Sequence, residues 1–138
     1  MAFSSGGFTR AGVVLASSIM GKAASAPTNY YLALGTGTTA FVNTQTTLVT
    51  EITASDGLQR AVATLTYPAT GNYAGDAWTL SKTFTYTGSA TVVVSEIGSL
   101  DAASTGNLIV RGVISPTRTM AVSGDAYMVN LKHVLVAG

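Results

Sequence analysis

The chain of 138 residues contains no cysteine. Disulfides, thiolate metal sites and thiol nucleophiles are therefore excluded. Charge is nearly as scarce. Asp, Glu, Lys and Arg make up 9% of the residues, where about 25% is usual for a soluble domain. Seven Lys and Arg against six Asp and Glu leave a formal net charge of +1, with no basic cluster to neutralise a run of phosphates. Nucleic-acid binding driven by counterion release is not expected of such a chain. Histidine occurs once, at His133, so a metal site with two imidazoles is excluded and any His-based triad would depend on that residue. Long apolar runs are missing as well. The best candidate, residues 11–20 behind Arg10, is diluted by Gly12, Ser17 and Ser18 and is too short to span a bilayer. Lys22 separates it from Ala24-Ser25-Ala26, which otherwise mimics a signal cleavage site. The segment reads as structural, and no membrane partner is expected.

What is present points to a compact β domain. The length suits one domain with a real core and no need of covalent staples. A mean hydropathy of +0.40 with so little charge is poorly suited to a free monomer, and reads as a subunit whose surface is largely covered by partners. The Gly/Ser-rich opening, residues 1–8, reads as an extended arm or a flexible lead. Residues 9–21 read as a short helix, with Thr9 as N-cap and Gly21 as stop, and Pro27 forbids its continuation.

Beyond Pro27 the pattern changes to β. Residues 30–34 form a short apolar run ending at Gly35, and residues 60–67 alternate. The cleanest period follows: Trp78, Leu80, Lys82, Phe84 and Tyr86 fall on one face, and Thr79, Ser81, Thr83, Thr85 and Thr87 on the other. Successive strand side chains point to opposite faces, so this is a half-buried antiparallel strand with a hydroxyl-rich outer face. Lys82 interrupts the inner face and is expected near the rim, its stem packed and its ammonium in water. Residues 91–97, 107–115 and 126–136 supply three more strands, separated by glycine-containing turns, with Pro116 closing the second of them. Residues 44–52 fit either a short helix or a strand. The whole reads as all-β, a single antiparallel β-sandwich or jelly roll with a short N-terminal helix.

The motifs that could carry chemistry fail their context tests. Gly35-Thr36-Gly37 follows a strand, as the first turn of a dinucleotide fold would. The next residues, 41–47, are β-branched and polar with poor helix propensity, and no Lys-Ser/Thr pair follows. The glycines read as a turn, and no cofactor is expected. Glu51 and Glu96 could in principle make a paired-carboxylate hydrolase, but nothing in their spacing joins them. Each is expected instead to cap a backbone N–H or to pair with an arginine such as Arg60 or Arg111. Asp56-Gly57 and Gly124-Asp125 are turn signals, and neither matches a calcium loop. His133 alternates with Leu131 and Leu135 and reads as a core-edge or interface residue. Trp78 with Tyr67 and Tyr73 could form a sugar-stacking platform, against the plainer reading of a core Trp with flanking loop tyrosines.

Several stretches taken in order carry a resemblance. They are Thr9-Arg-Ala-Gly12 opening the helix, Tyr31-Leu-Ala-Leu-Gly-Thr-Gly37, Thr47-Leu-Val-Thr-Glu-Ile52 followed by Arg60, Val94-Ser-Glu-Ile-Gly-Ser-Leu-Asp-Ala102, and Gly106-Asn-Leu-Ile-Val-Arg111. In this order the chain resembles the small virion structural proteins of tailed bacteriophages, described as capsid decoration (cement) proteins or as tail-fibre and baseplate proteins. The stretch Glu96-Ile-Gly-Ser-Leu100 departs from that pattern, which carries a bulkier apolar pair there. The resemblance implies no catalytic residues. As a cement protein, the first choice, the chain would sit on the capsid surface, bind the major capsid protein and self-associate into an oligomer such as a trimer. As a fibre or baseplate module it would trimerise or bind a host surface. On either reading the interface is expected to use Phe3, Phe8 and Arg10 from the arm and helix start, and Tyr127, Val129 and Leu131 from the last strand.

Overall fold

A computed structural model describes residues 2–67 and 77–134. Among the described residues, eight strands and one helix follow one another as β1 (Ala2–Phe8), α1 (Arg10–Met20), β2 (Tyr31–Gly35), β3 (Ala61–Val62), β4 (Thr64–Thr66), β5 (Ala77–Thr85), β6 (Val92–Leu100), β7 (Leu108–Met120) and β8 (Ala126–Val134). They form two antiparallel sheets, ordered β1-β7-β6-β2-β3 and β4-β5-β8. The expected sandwich with a short N-terminal helix is the architecture found.

The alternation of β5 is realised as read. Leu80, Phe84 and Tyr86 are buried between the sheets with Val129 and Leu131 of β8, and they meet Leu32, Leu34, Ile97, Val110 and Ile114 of the large sheet. Thr83 and Thr85 point to solvent. Lys82 is half-buried opposite Val129. The other face of the large sheet is covered as well, which is why β6 from Val94 to Leu100 and β7 from Leu108 to Ile114 are buried residue after residue. There Ala33, Leu100 and Leu108 pack against Leu48, which comes from the long excursion of residues 36–60. A strand covered on both faces reads as a continuous apolar run rather than an alternating one.

Four segments differ from their sequence reading. Residues 2–8 are neither free nor flexible: they pair with β7 from Ala2↔Ser115 to Phe8↔Val110 as an edge strand. Their glycines let the chain lie flat where Phe3 crosses Gly112. Residues 44–52 form neither helix nor strand beyond one bridge, Gly35↔Glu51. Residues 60–67 divide at Ala63 into β3 and β4, so the alternating run passes from one sheet to the other. Finally, β7 does not close at Pro116 but runs through a cis Ser115–Pro116 bond to Met120, because β6 continues beside it from Val94↔Arg118 to Val92↔Met120. The last residues of the final strand as read, 135 and 136, lie outside the described residues.

Helix α1 is capped as expected. The Thr9 hydroxyl accepts from the Gly12 N–H at 3.0 Å and donates to the Leu108 carbonyl. Gly12 lies against the backbone of Ile109, where a methyl group would overlap the carbonyl oxygen. The helix can therefore sit directly on β7.

Candidate functional site

The ionisable groups read as possible chemistry are internal ties. Glu96 and Arg111 have no exposed surface. They lie on the large-sheet face that the 36–60 excursion covers, and the Arg111 Nε donates to Glu96 Oε2 at 2.7 Å. Glu96 Oε1 also accepts from the N–H groups of Thr50 (2.7 Å) and Gly37 (3.2 Å), and Oε2 from that of Val49 (3.1 Å). Arg111 completes its bonding with the Gln45 side-chain oxygen and the Thr39 carbonyl, both at 3.0 Å. A buried charge is tolerable when it is paired and its remaining hydrogen-bonding capacity is used. Here both conditions hold, and the partners are the loop itself.

This arrangement explains the Gly-Thr-Gly stretch. A Cβ added at Gly35 or at Gly37 would stand 2.5 Å from Glu96 Oε1. The glycines let backbone approach an anion, as they would in a phosphate loop, but the anion is the protein's own carboxylate.

Glu51 is similarly engaged. Its two oxygens accept from Arg60 Nε (2.8 Å) and Nη2 (2.7 Å), a two-point contact. Arg60 Nη1 ties the same corner to the carbonyls of Ala102 and Thr105. Both glutamates thus pair with the arginines named from sequence, and Glu96 presents no carboxyl to solvent. Among the described residues no three of Asp, Glu and His come together in a way that could hold a metal ion.

His133 is 2% exposed. Its ring stacks on Trp78 with centroids 4.9 Å apart and planes 5° from parallel, and Phe8 stands 5.8 Å away. Its Nε2 is 3.0 Å from the Ser99 hydroxyl of the opposite sheet, and Nδ1 has no partner among the described residues. Burial lowers its pKa to about 4, because removing the imidazolium from water disfavours the charged form. His133 is a core residue joining the sheets.

Trp78 also lines an apolar groove of about 280 Å³ between α1 and the sheet edges, with Phe8, Leu15, Ile19, Tyr30 and Tyr67. Tyr73 lies outside the described residues. Among the described residues the side-chain nitrogen and oxygen atoms in the lining are the hydroxyls of Tyr30 and Tyr67 and the Trp78 indole nitrogen. A sugar needs several fixed hydrogen-bond partners beside its stacking surface, and this groove has few to offer.

The expected interface residues do not form one surface. Phe3 and Phe8 are half-buried and pack on the core from β1. Arg10 is exposed at the helix start, and Tyr127 is half-buried. Val129 and Leu131 are 0% and 2% exposed, facing inward, so their side chains are not part of the exposed face of the small sheet. The residues of β8 that do face outward are Ala126, Met128, Asn130, Lys132 and Val134. Sequence alternation separates the two sets but does not say which faces in. That follows from the register of β8 against β5, where Leu131 lies opposite Leu80.

Fold and site together define a small β-sandwich whose buried charges hold loops to sheets. The family described as podophage GP4 fiber I protein gp80 matches residues 11–136, and the chain belongs to that family. It is a small structural protein of the phage virion, of tail-fibre type. A search of the curated proteins finds no match.

Proposed function

We propose that this chain is a non-enzymatic structural component of a tail fibre, located on the tail rather than on the capsid surface. The observation that carries the reading is the family match over residues 11–136, which favours the fibre placement over the cement placement that came first from sequence. The geometry agrees with a structural role. Glu51, Glu96, Arg60 and Arg111 are each consumed in ties within the chain, and the Ser99–His133 contact is closed off from solvent. The partners on this reading are further copies of the chain and neighbouring tail proteins, in place of the major capsid protein.

Location tests this directly. Purified virions are separated into heads and tails, and the chain is quantified by mass spectrometry against the major capsid protein. A few copies following the tail are expected. Hundreds of copies following the head would overturn the fibre placement and restore the cement reading.

A further inference from the structure

The two sheets have four edges, and three of them are blunted. β3 and β4 are two and three residues long. β1 carries a bulge between Phe3 and Ser5, and the Ser5 hydroxyl is engaged by the Phe41 N–H at 2.7 Å. Short strands and bulges are the usual protections of a sheet edge against further pairing.

β8 is neither short nor bulged, and its one protection is the charge of the exposed Lys132. It is nine residues long, pairs with β5 in unbroken register from Ala126↔Thr85 to Val134↔Ala77, and contains neither proline nor glycine. Among the described elements it is paired with β5 alone, and at its first residue the Ala126 carbonyl accepts from Arg118 Nη2 of β7 at 3.2 Å. Its outward residues include Met128 at 62% and Val134 at 40% exposure. An edge of this kind is a template for an added strand, whose main-chain bonds supply affinity while side-chain matching sets register.

We infer that β8 pairs antiparallel with β8 of a second copy across a two-fold axis at Asn130, joining two three-stranded sheets into one of six. The strand sequence itself selects the occupant. Of the two-fold registers, the one centred on Asn130 is the one that pairs all nine residues, Ala126–Val134. It places Val129 opposite Leu131, Tyr127 opposite His133 and Ala126 opposite Val134. Asn130 meets Asn130, so each amide can donate to the other's carbonyl oxygen. Lys132, the one charge on the strand, meets Met128, whose thioether chain can pack along the lysine stem. Moving the axis to Lys132 would set two lysines face to face, an unfavourable cross-strand pair. A two-fold contact of this kind is self-complementary, as an isologous interface requires. The inference rests on the geometry of β8 and is independent of where the protein sits in the virion.

The test is the solution mass of the full chain by analytical ultracentrifugation, with far-UV circular dichroism to confirm folding. The unmodified chain is expected to dimerise. Met128→Lys places a lysine opposite Lys132 twice in the pair, and should raise the dimer dissociation constant at least tenfold. Met128→Glu should leave the dimer intact or tighten it, with a gain that fades at high salt. Because the chain has no cysteine, Asn130→Cys should crosslink to a disulfide dimer under mild oxidation, whereas Thr83→Cys on the neighbouring strand should not. A monomer at all concentrations, or an oligomer untouched by Met128→Lys and not trapped by Asn130→Cys, would overturn the inference.

Discussion

At the scale of single residues the decisive group is Glu96. Four donors converge on its two oxygens, three from the backbone of residues 37–50 and one from Arg111. The carboxylate therefore acts as the fixed point around which a loop without regular structure is held. Replacing both members of a buried ion pair by apolar side chains is often neutral, but here that change would also strand three backbone N–H groups. The single change Glu96→Gln keeps the shape and removes the charge. It leaves Arg111 buried without a counter-ion and turns one acceptor oxygen into a donor facing N–H groups. We expect a loss of about 3–5 kcal/mol of stability, the usual cost of breaking a buried pair. A urea denaturation midpoint compared with that of the unmodified chain measures it. A shift of a few tenths of a kcal/mol would show that the loop is held by other contacts.

At the scale of elements the first strand behaves differently from its appearance in sequence. Residues 2–8 supply an edge strand to β7 and two aromatic side chains, Phe3 and Phe8, to the core. Phe8 also stands edge-on to Trp78 at 6.2 Å and so touches the small sheet. Deleting residues 2–8 should therefore destabilise the whole domain by on the order of 3 kcal/mol or more, in the range for loss of aromatic core packing. Thermal unfolding of the truncated chain checks this; an unchanged midpoint would mean that β1 is an ornament on a fold complete without it. The strand was hidden because Ser-Ser-Gly-Gly carries no alternation and little β propensity, and its pairing is imposed by β7. The exposed half of β7 was hidden for a related reason: Pro116 reads as the end of the strand, yet β6 is long enough to pair with Arg118, Thr119 and Met120 beyond it. By contrast, β5 was legible because a half-buried strand writes its two environments directly into its period. The glutamate–arginine pairings were legible as a kind of contact, since buried or half-buried charges need partners. The choice of Arg111 for Glu96 depends on the β6–β7 register, in which Gly98 lies opposite Arg111, and no local pattern encodes that.

At the scale of the whole molecule, the only histidine links the sheets and makes their union sensitive to pH. His133 reaches Ser99 across the core and lies flat on Trp78. Its pKa in the folded protein is lowered to about 4 from an ordinary 6.5. Between those two values the unfolded chain binds the proton more readily than the folded one, so stability falls as pH is lowered through that window. The stabilisation is complete above about pH 6.5 and lost progressively towards pH 4, by about 3 kcal/mol if the whole shift is realised. Asp125 does not confuse the result. Its carboxylate accepts from the Ala121 and Val122 N–H groups, which lower its pKa from 3.8, so its contribution disappears only at lower pH. Denaturant unfolding between pH 7 and pH 4 should therefore show a slope that His133→Phe abolishes, because a phenyl ring can keep the stack on Trp78 but cannot take up a proton. The same variant loses the Ser99 contact, so its stability at pH 7 should fall while its dependence on pH flattens. These two effects have opposite bearings on the acid-side comparison, and only a titrating residue predicts both. A slope that persists in His133→Phe would place the acid sensitivity in the carboxylates and leave His133 a packing residue alone.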